Sequence, residues 1–93
     1  MEIIKTNVPV LEAGFYLFTT ENCPSCEKLK STVRELEVDT TLYEVEAHSH
    51  QEIAMSLNIM GTPCIIDYRD GKEYDRIYGA ASMKRLEAFF KGE

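Results

Sequence analysis

The sequence predicts one α/β domain built on a mixed β-sheet of about four to five strands, with helices on both faces of the sheet. Two observations carry this prediction. Strand-like segments alternate with amphipathic helical segments from residue 15 to residue 63, which favours parallel strands joined by right-handed crossovers. Further along, Asp70-Gly71 separates two strand-like runs, which predicts an antiparallel hairpin. The predicted order of elements is therefore β, β, α, β, α, β, β, α.

The first part of the chain is predicted to contain an edge strand, a loop, a buried strand and a helix. Glu2–Thr6 is a short extended segment and is interpreted as the edge strand, and residues 7–14 are interpreted as the loop. Phe15–Thr20 contains a continuous apolar run, which is typical of a fully buried strand. Pro24–Glu37 is predicted as a helix because its apolar residues recur at helical spacing. That apolar face consists of Cys26, Leu29, Val33 and Leu36.

The middle of the chain predicts a second strand and a short helix. Leu42–Ala47 places alternate side chains on two sides, which predicts a strand. A polar loop at residues 48–50 follows, and Gln51–Leu57 is predicted as a short helix. Met60–Pro63 contains a glycine and a proline, and is therefore expected to be non-helical.

The last part of the chain predicts the hairpin and a closing helix. Cys64–Arg69 and Lys72–Tyr78 are the hairpin strands, and Asp70-Gly71 suits a type I′ turn because that turn needs positive φ. Three hairpin tyrosines are expected to pack across the strands. They are Tyr68, Tyr74 and Tyr78. Ser82 is predicted to cap the helix Met83–Lys91. The side chains that this helix is expected to bury are Met83, Leu86, Phe89 and Phe90.

The composition is that of an ordinary soluble globular domain, and residues 1–93 are assigned to that single domain. The net charge of −6 argues against a nucleic-acid partner. No apolar stretch approaches the roughly 20 residues of a membrane span, and no signal-peptide pattern opens the chain. Three cysteines are an odd number and a poor disulfide framework. We therefore expect a cytoplasmic monomer that binds neither nucleic acid nor membrane.

Two cysteines, Cys23 and Cys26, lie where the buried strand gives way to the helix. The first turn of a helix offers unpaired N–H groups and the positive end of the helix dipole, both of which stabilise a thiolate. Pro24 suits the first helical position because its missing N–H is not needed there. Cys23 is predicted to be the nucleophile at the exposed helix tip. Cys26, one turn lower, is predicted to be the resolving thiol.

The cysteine pair, the short helix, and Gly61-Thr62-Pro63 opening a hairpin together resemble the thioredoxin family over about residues 15–90. The runs from Cys64 to Lys72 and from Tyr78 to Ser82 also follow that family closely. The resemblance implies the thioredoxin fold and a cis peptide bond between Thr62 and Pro63, packed against the cysteine pair. It also implies that the backbone at Thr62 pairs with an extended segment of the substrate.

The chain departs from the family's pattern at several positions. Asn22 stands where a thioredoxin usually has Trp, and Pro24-Ser25 stands where it usually has Gly-Pro. Pro directly after the first Cys is similar to a glutaredoxin, but Gly79-Ala80-Ala81 replaces the Gly-Gly pair with which glutaredoxins hold glutathione. Leu17 stands where thioredoxins bury an Asp, and Glu44 where they bury a Lys. The group that handles protons is therefore altered or missing.

These observations predict a thiol–disulfide oxidoreductase that reduces protein disulfides through a mixed disulfide, without a cofactor or a metal. Such an activity belongs to electron transport and cell redox homeostasis. The residues predicted to be catalytic are Cys23, Cys26 and Pro63, and the supporting residues are Pro24, Ser25, Thr62 and Glu44. The expected partners are disulfide-containing proteins and an electron donor, which is either a thioredoxin-reductase-like enzyme or glutathione.

Alternative interpretations stay open at this point. The pair can instead be a structural disulfide, or half of a metal site completed by Cys64, His48 or His50. The protein can also be a glutathione-dependent, glutaredoxin-like enzyme. For Cys64 a place in the core is favoured over a third reactive thiol, and the two histidines are expected to be solvated. Glu44 is either a solvated strand residue or a buried acid that relays the proton of Cys26.

Overall fold

The computed structural model describes residues 1–6, 12–79 and 81–92, and within them the chain forms five strands and three helices. In chain order these are β1 (Glu2–Lys5), β2 (Gly14–Thr19), α1 (Pro24–Arg34), β3 (Thr41–Glu46), α2 (Gln51–Ser56), β4 (Cys64–Arg69), β5 (Lys72–Tyr78) and α3 (Met83–Lys91). The predicted order of elements is confirmed. Most of the loop predicted for residues 7–14, and Ala80, lie outside the described residues.

The five strands form one mixed sheet in the order β1-β3-β2-β4-β5. The strands β1, β3 and β2 run parallel, whereas β4 pairs antiparallel with both β2 and β5. The prediction of a mixed sheet of four to five strands is confirmed, and β1 lies at an edge as expected. The turn between β4 and β5 has positive φ at Asp70 (50°) and Gly71 (79°), as a type I′ turn requires.

Side chains from the two faces of the sheet form two separate cores. The core beneath α1 and α3 contains Leu17, Leu29, Val33, Leu36, Leu42, Ile65, Leu86, Phe89 and Phe90. The core on the opposite face contains Tyr16, Phe18, Val45, Cys64 and Ile66, with Ile53 and Leu57 of the α2 region packed against it. The alternation predicted for β3 is confirmed, because Leu42 and Val45 belong to different cores. The helices therefore cover both faces of the sheet.

Two predictions about the helices are wrong. Helix α1 ends at Arg34 rather than at Glu37, because the N–H groups of Glu35 and Leu36 bind the carbonyls of Thr32 and Val33, three residues back, and close the last turn. Met83 is 45% exposed, because it begins α3 and only the later turns of that helix lie over the sheet. The ends of β1, β2, β3 and α2 differ from the predicted ends by one residue.

None of the helices in the described residues combines the length and the apolar character that a membrane span requires.

Replacing Ser82 with alanine should lower the free energy of unfolding by about 1 kcal/mol. The reason is that the Ser82 side-chain oxygen accepts the backbone N–H of Arg85 at 3.1 Å and caps the start of α3. Urea unfolding followed by circular dichroism measures the change. Ser31→Ala, on the exposed side of α1, is the control and should change stability by less than about 0.5 kcal/mol. Equal losses in the two variants would contradict the capping role.

Candidate active site

The turn between β2 and α1 places the two cysteines. Asn22 has a positive φ of 53°, a conformation that asparagine tolerates better than most residues. Cys23 then adopts an extended conformation as the N-cap of α1, and Pro24 follows in the first turn. The sulfur of Cys23 accepts a hydrogen bond from the backbone N–H of Cys26 at 3.2 Å. The helix start therefore presents a hydrogen-bond donor to the Cys23 sulfur, as the sequence analysis predicts.

Cys23 and Cys26 are joined by a disulfide, with their Cα atoms 5.2 Å apart. That separation lies within the usual range for bonded cysteines, so the helical turn accommodates the bond. Cys23 is partly exposed, whereas Cys26 is 1% exposed and faces the interior. An incoming thiolate therefore has access to the sulfur of Cys23 and not to that of Cys26.

Two hydroxyl groups flank the sulfur of Cys23. The Ser25 Oγ lies 3.5 Å from this sulfur, and the Thr62 Oγ1 lies 3.9 Å from it on the opposite segment of the chain. Thr62 is also hydrogen-bonded to Thr20 through their hydroxyl groups, at 3.0 Å. The structure thus brings Ser25 and Thr62, both predicted as supporting residues, together at Cys23.

The segment opposite the cysteine pair carries Thr62 and Pro63. The peptide bond between them is cis, and Pro63 is fully buried. The carbonyl of Pro63 accepts the N–H of Gly79 at 2.9 Å, which ties this segment to the end of β5. The contact with the Cys23 sulfur comes from Thr62, and the packing of the Pro63 ring against the cysteine pair stays a prediction.

Glu44 lies on the sheet face that α1 covers, and only 12% of its side chain is exposed. Its carboxylate accepts a hydrogen bond from the Thr19 hydroxyl at 2.9 Å and from the Lys30 ammonium at 3.2 Å. Glu44 also pairs in register with Leu17, which is fully buried. The alternative that placed Glu44 on a solvated side of the strand is therefore wrong, because α1 and Lys30 close that side.

Lys30 is the member of the site that the sequence analysis missed. It contacts Glu27 at 2.8 Å as well as Glu44, and 12% of its side chain is exposed. Burial lowers the pKa of Lys30, but its hydrogen bonds to Glu27 and Glu44 outweigh burial, so the pKa is raised above its usual value. The available signal was its position four residues after Cys26, which places both on one side of the helix.

Pockets of different character lie on the two sides of the site. One is lined by Cys23 and Pro24 together with charged side chains that include Lys30 and Glu44. The other runs along α2 and is lined by Thr62 and by apolar side chains. Those apolar side chains include Ala54, Met55, Ile59 and Met60. Met55 and Met60 are 76% and 82% exposed, so this groove offers flexible apolar contact area directly beside the Thr62 segment.

The remaining candidate residues lie apart from the cysteine pair. Cys64 is fully buried in the core on the α2 side of the sheet, as favoured from the sequence. Burial outweighs the opposing effects of Arg76 and Tyr78 and raises the pKa of the Cys64 thiol. The side chain of His48 is 71% exposed, and its Nδ1 lies 3.9 Å from a carboxylate oxygen of Glu46. Within the described part of the chain, no three His, Cys, Asp or Glu side chains form a group able to hold a metal.

Comparisons with known proteins agree with this geometry. A family model described as a thioredoxin-like domain matches residues 6–92. The chain is 34% identical over 79 residues to NADPH-dependent thioredoxin reductase 3 of Arabidopsis thaliana, a match that covers 81% of this chain and 15% of that protein. It is also 34% identical over 78 residues to bloodstream-specific protein 2 of Trypanosoma brucei brucei, covering 80% and 16%. The chain thus corresponds to 15% to 16% of the length of these relatives.

Solved structures share the fold at lower identity. The oxidised form of mitochondrial thioredoxin 3 from Saccharomyces cerevisiae superposes with a TM-score of 0.78 at 18% identity, covering 98% of this chain and 95% of that one. The reduced thioredoxin pre-protein of Schistosoma mansoni superposes with a TM-score of 0.76 at 19% identity, covering 99% and 98%. At these identities the likeness establishes the fold alone, and it confirms the thioredoxin fold expected from the sequence.

In the folded, oxidised protein Cys64 should not react with iodoacetamide between about pH 7 and pH 9, because a raised pKa keeps its thiol protonated and burial blocks access. After unfolding in denaturant, Cys64 should be labelled. Mass spectrometry of peptides counts the adducts. Reduced, folded protein is the control, in which Cys23 should be labelled first. Rapid labelling of Cys64 in the folded, oxidised protein would show that it is not a core thiol.

Proposed function

Because the chain belongs to the thioredoxin-like family, we propose that it acts as a thiol–disulfide oxidoreductase that reduces protein disulfides through Cys23 and Cys26. One observation carries the proposal. The two cysteines form a disulfide at the start of α1, with Cys23 accessible and Cys26 buried. A pair arranged in this way supports a two-step exchange, since one sulfur meets the substrate and the other meets only the first sulfur.

In the first step the reduced Cys23 thiolate attacks one sulfur of the substrate disulfide. A new S–S bond forms between Cys23 and that sulfur, while the substrate's own S–S bond breaks and its other sulfur leaves as a thiolate that takes up a proton. The N–H of Cys26, now 3.2 Å from the Cys23 sulfur, is placed to stabilise the attacking thiolate. The hydroxyls of Ser25 and Thr62 lie on either side of the same sulfur.

In the second step Cys26 attacks the Cys23 sulfur of the mixed disulfide. The bond from Cys23 to the substrate breaks, the substrate leaves as a second thiol, and the Cys23–Cys26 disulfide forms. Two electrons thereby pass from the enzyme dithiol to the substrate disulfide. The product of this step is the disulfide that the structure contains.

The second step requires that the Cys26 thiol lose a proton, and we assign Glu44 to this transfer. Its carboxylate lies under α1 and lines the charged pocket that also contains Cys23. Lys30, four residues after Cys26, hydrogen-bonds the carboxylate and holds it beneath the helix. Thr19 holds the other side of the same group. Glu44 thereby supplies a fixed acceptor near the turn that carries Cys26.

The protein substrate is proposed to lie across the Thr62 segment as an extended chain. Thr62 precedes β4, and a strand-like peptide placed there pairs with the backbone beside Cys23. The apolar groove that contains Met55 and Met60 lies on the same side and suits an apolar side chain next to the substrate's cysteine.

The electron donor is proposed to be a reductase of the thioredoxin-reductase type. The support is that one curated relative is named an NADPH-dependent thioredoxin reductase and contains a segment similar to this chain. Glutathione is the alternative donor. Regeneration of the dithiol by a thioredoxin reductase with NADPH, compared with regeneration by reduced glutathione alone, distinguishes the two. The odd number of cysteines supports a cytoplasmic location, where the pair is reduced again after each turnover.

Cys23→Ser should lower the rate of insulin disulfide reduction by about 100-fold or more, because no other accessible thiol starts the exchange. Cys26→Ser should instead accumulate a mixed disulfide on Cys23, which mass spectrometry without reductant detects. Cys64→Ala is the matched control and should retain activity, since its thiol is buried away from the site. Stable substrate adducts on Cys26 in the Cys23→Ser protein would reverse the assigned roles.

Glu44→Gln should slow resolution of the mixed disulfide by about tenfold between pH 6 and pH 8, because an amide does not accept the proton of Cys26. Stopped-flow measurement of substrate release from a preformed mixed disulfide follows this step. Glu35→Gln is the control, since Glu35 is exposed just past the end of α1 and does not line the charged pocket. An unaltered rate in Glu44→Gln would remove Glu44 from the mechanism and leave the exchange at the cysteines intact.

A further inference from the structure

The segment that joins α2 to Thr62 follows a short helix that has few stabilising features of its own. Helix α2 is six residues long, and its N-cap His50 makes no side-chain capping hydrogen bond. None of its residues is buried, and no basic residue lies in its last turn. The segment from Leu57 to Met60 then carries the chain to Thr62, with Asn58 in a positive-φ conformation of 58°. The N–H groups of Leu57, Asn58 and Ile59 bind carbonyls of α2, whereas the carbonyls of Leu57 and Asn58 are bound from elsewhere in the fold.

Arg76 of β5 reaches this segment across the edge of the sheet. Its Nη2 donates to the carbonyl of Leu57 at 2.5 Å, and its Nη1 donates to the carbonyl of Asn58 at 3.2 Å. These carbonyls lie at the C-terminal end of α2, where helix carbonyls lack partners and carry partial negative charge. A charged guanidinium satisfies both with strong hydrogen bonds.

Tyr78, two residues further along β5, contacts the same segment. Its hydroxyl accepts the backbone N–H of Met60 at 3.3 Å and donates to the carbonyl of Asn58 at 3.4 Å. It also accepts a hydrogen bond from Arg76 Nη1 at 2.8 Å. The expectation that Tyr78 serves cross-strand packing is therefore incomplete, because its hydroxyl binds a segment 18 to 20 residues earlier in the chain.

Two neighbours of Arg76 and Tyr78 add to these contacts. Glu73 orients the Arg76 guanidinium, and Gly79 binds the chain on the other side of Thr62. The Glu73 carboxylate accepts hydrogen bonds from Nε and Nη2 of Arg76, which directs the remaining donors at the α2 carbonyls. Just past Tyr78, the N–H of Gly79 binds the carbonyl of Pro63. Strand β5 thus holds the segment on both sides of Thr62, at Leu57–Met60 and at Pro63.

We propose that Arg76 and Tyr78 are positioning residues that hold the Leu57–Met60 segment so that Thr62 stays beside the Cys23 sulfur when a protein substrate binds. The proposal rests on the proposed disulfide exchange, because Thr62 is there the residue that pairs with the substrate. It concerns substrate placement rather than the chemistry of the sulfur. The thiolate of Cys23 is stabilised by α1, and α1 makes no contact with Arg76 in the described hydrogen bonds.

The first test measures backbone attachment without any substrate. Tyr78→Phe removes one hydroxyl, and amide hydrogen exchange by NMR should show the Met60 N–H exchanging at least about tenfold faster. Tyr74→Phe is the matched control, since Tyr74 lies on the same strand and is 65% exposed. It should leave the Met60 exchange rate unchanged. A Met60 exchange rate in Tyr78→Phe equal to that in the control would overturn the proposal, whatever the protein's activity.

The second test separates substrate placement from sulfur chemistry. Tyr78→Phe and Arg76→Lys should raise KM for insulin by about tenfold while changing kcat and the rate with a small aromatic disulfide less than about threefold. Arg85→Lys, on the exposed side of α3, is the control for the arginine change and should behave as wild type. A fall in melting temperature with unchanged KM, or equal losses with both substrates, would overturn the proposal. If the wild type reduces neither disulfide, the proposed function fails. In that case the amide hydrogen exchange of Met60 alone tests whether Tyr78 holds the Leu57–Met60 segment.

Discussion

The start of helix α1 is the constraint on which the geometry of the site depends. It follows directly from β2, which lies inside the sheet and pairs with β3 on one side and β4 on the other. Because β2 is held on both sides, the turn that follows it begins from a fixed point, and Asn22 makes that turn tight enough for Cys23 to cap the helix. Starting the helix one residue later would rotate the two cysteines by about 100° and turn Cys26 out of the interior.

The charged pair Lys30 and Glu44 shows how the chain places ionised groups in the pocket beside Cys23 without an acid on β2. Leu17 belongs to the core between the sheet and α1, and an acid at that position would have to be buried among apolar side chains. The chain instead places the acid on β3 at Glu44 and the base on the helix at Lys30. Both lie at the rim of the charged pocket, so each ion keeps its partner and partial access to water.

Much of the fold could be predicted from the sequence because its elements have local causes. The apolar run before Thr20, the positive-φ turn at Asp70-Gly71 and the cap at Ser82 are each decided within a few residues, and the structure contains all three. The end of α1 at Arg34 could not be predicted in this way. The apolar spacing continues to Leu36, which stays in the core although it lies outside the helix, so periodicity alone suggested a longer helix.

The same distinction between local and long-range causes applies to the residues of the candidate site. Cys23 and Cys26 lie one helical turn apart, so their spacing in the sequence predicts that they are close together. The contact between Cys23 and Thr62 joins residues 39 apart, and only the resemblance to a known family indicated it in advance.

The partners of Lys30 and Arg76 had no such signal. Lys30 meets Glu44 from 14 residues away, and Arg76 meets Leu57 from 19 residues away, through bonds that exist only once the sheet has formed. A charged residue on a helix or an edge strand is usually solvated, so the sequence does not indicate which groups these two side chains bind, although the spacing of Lys30 from Cys26 places both on one side of α1. The cysteine pair is therefore encoded in a short motif, whereas the placement of the substrate that we propose beside it depends on long-range contacts, including those of the edge strand β5.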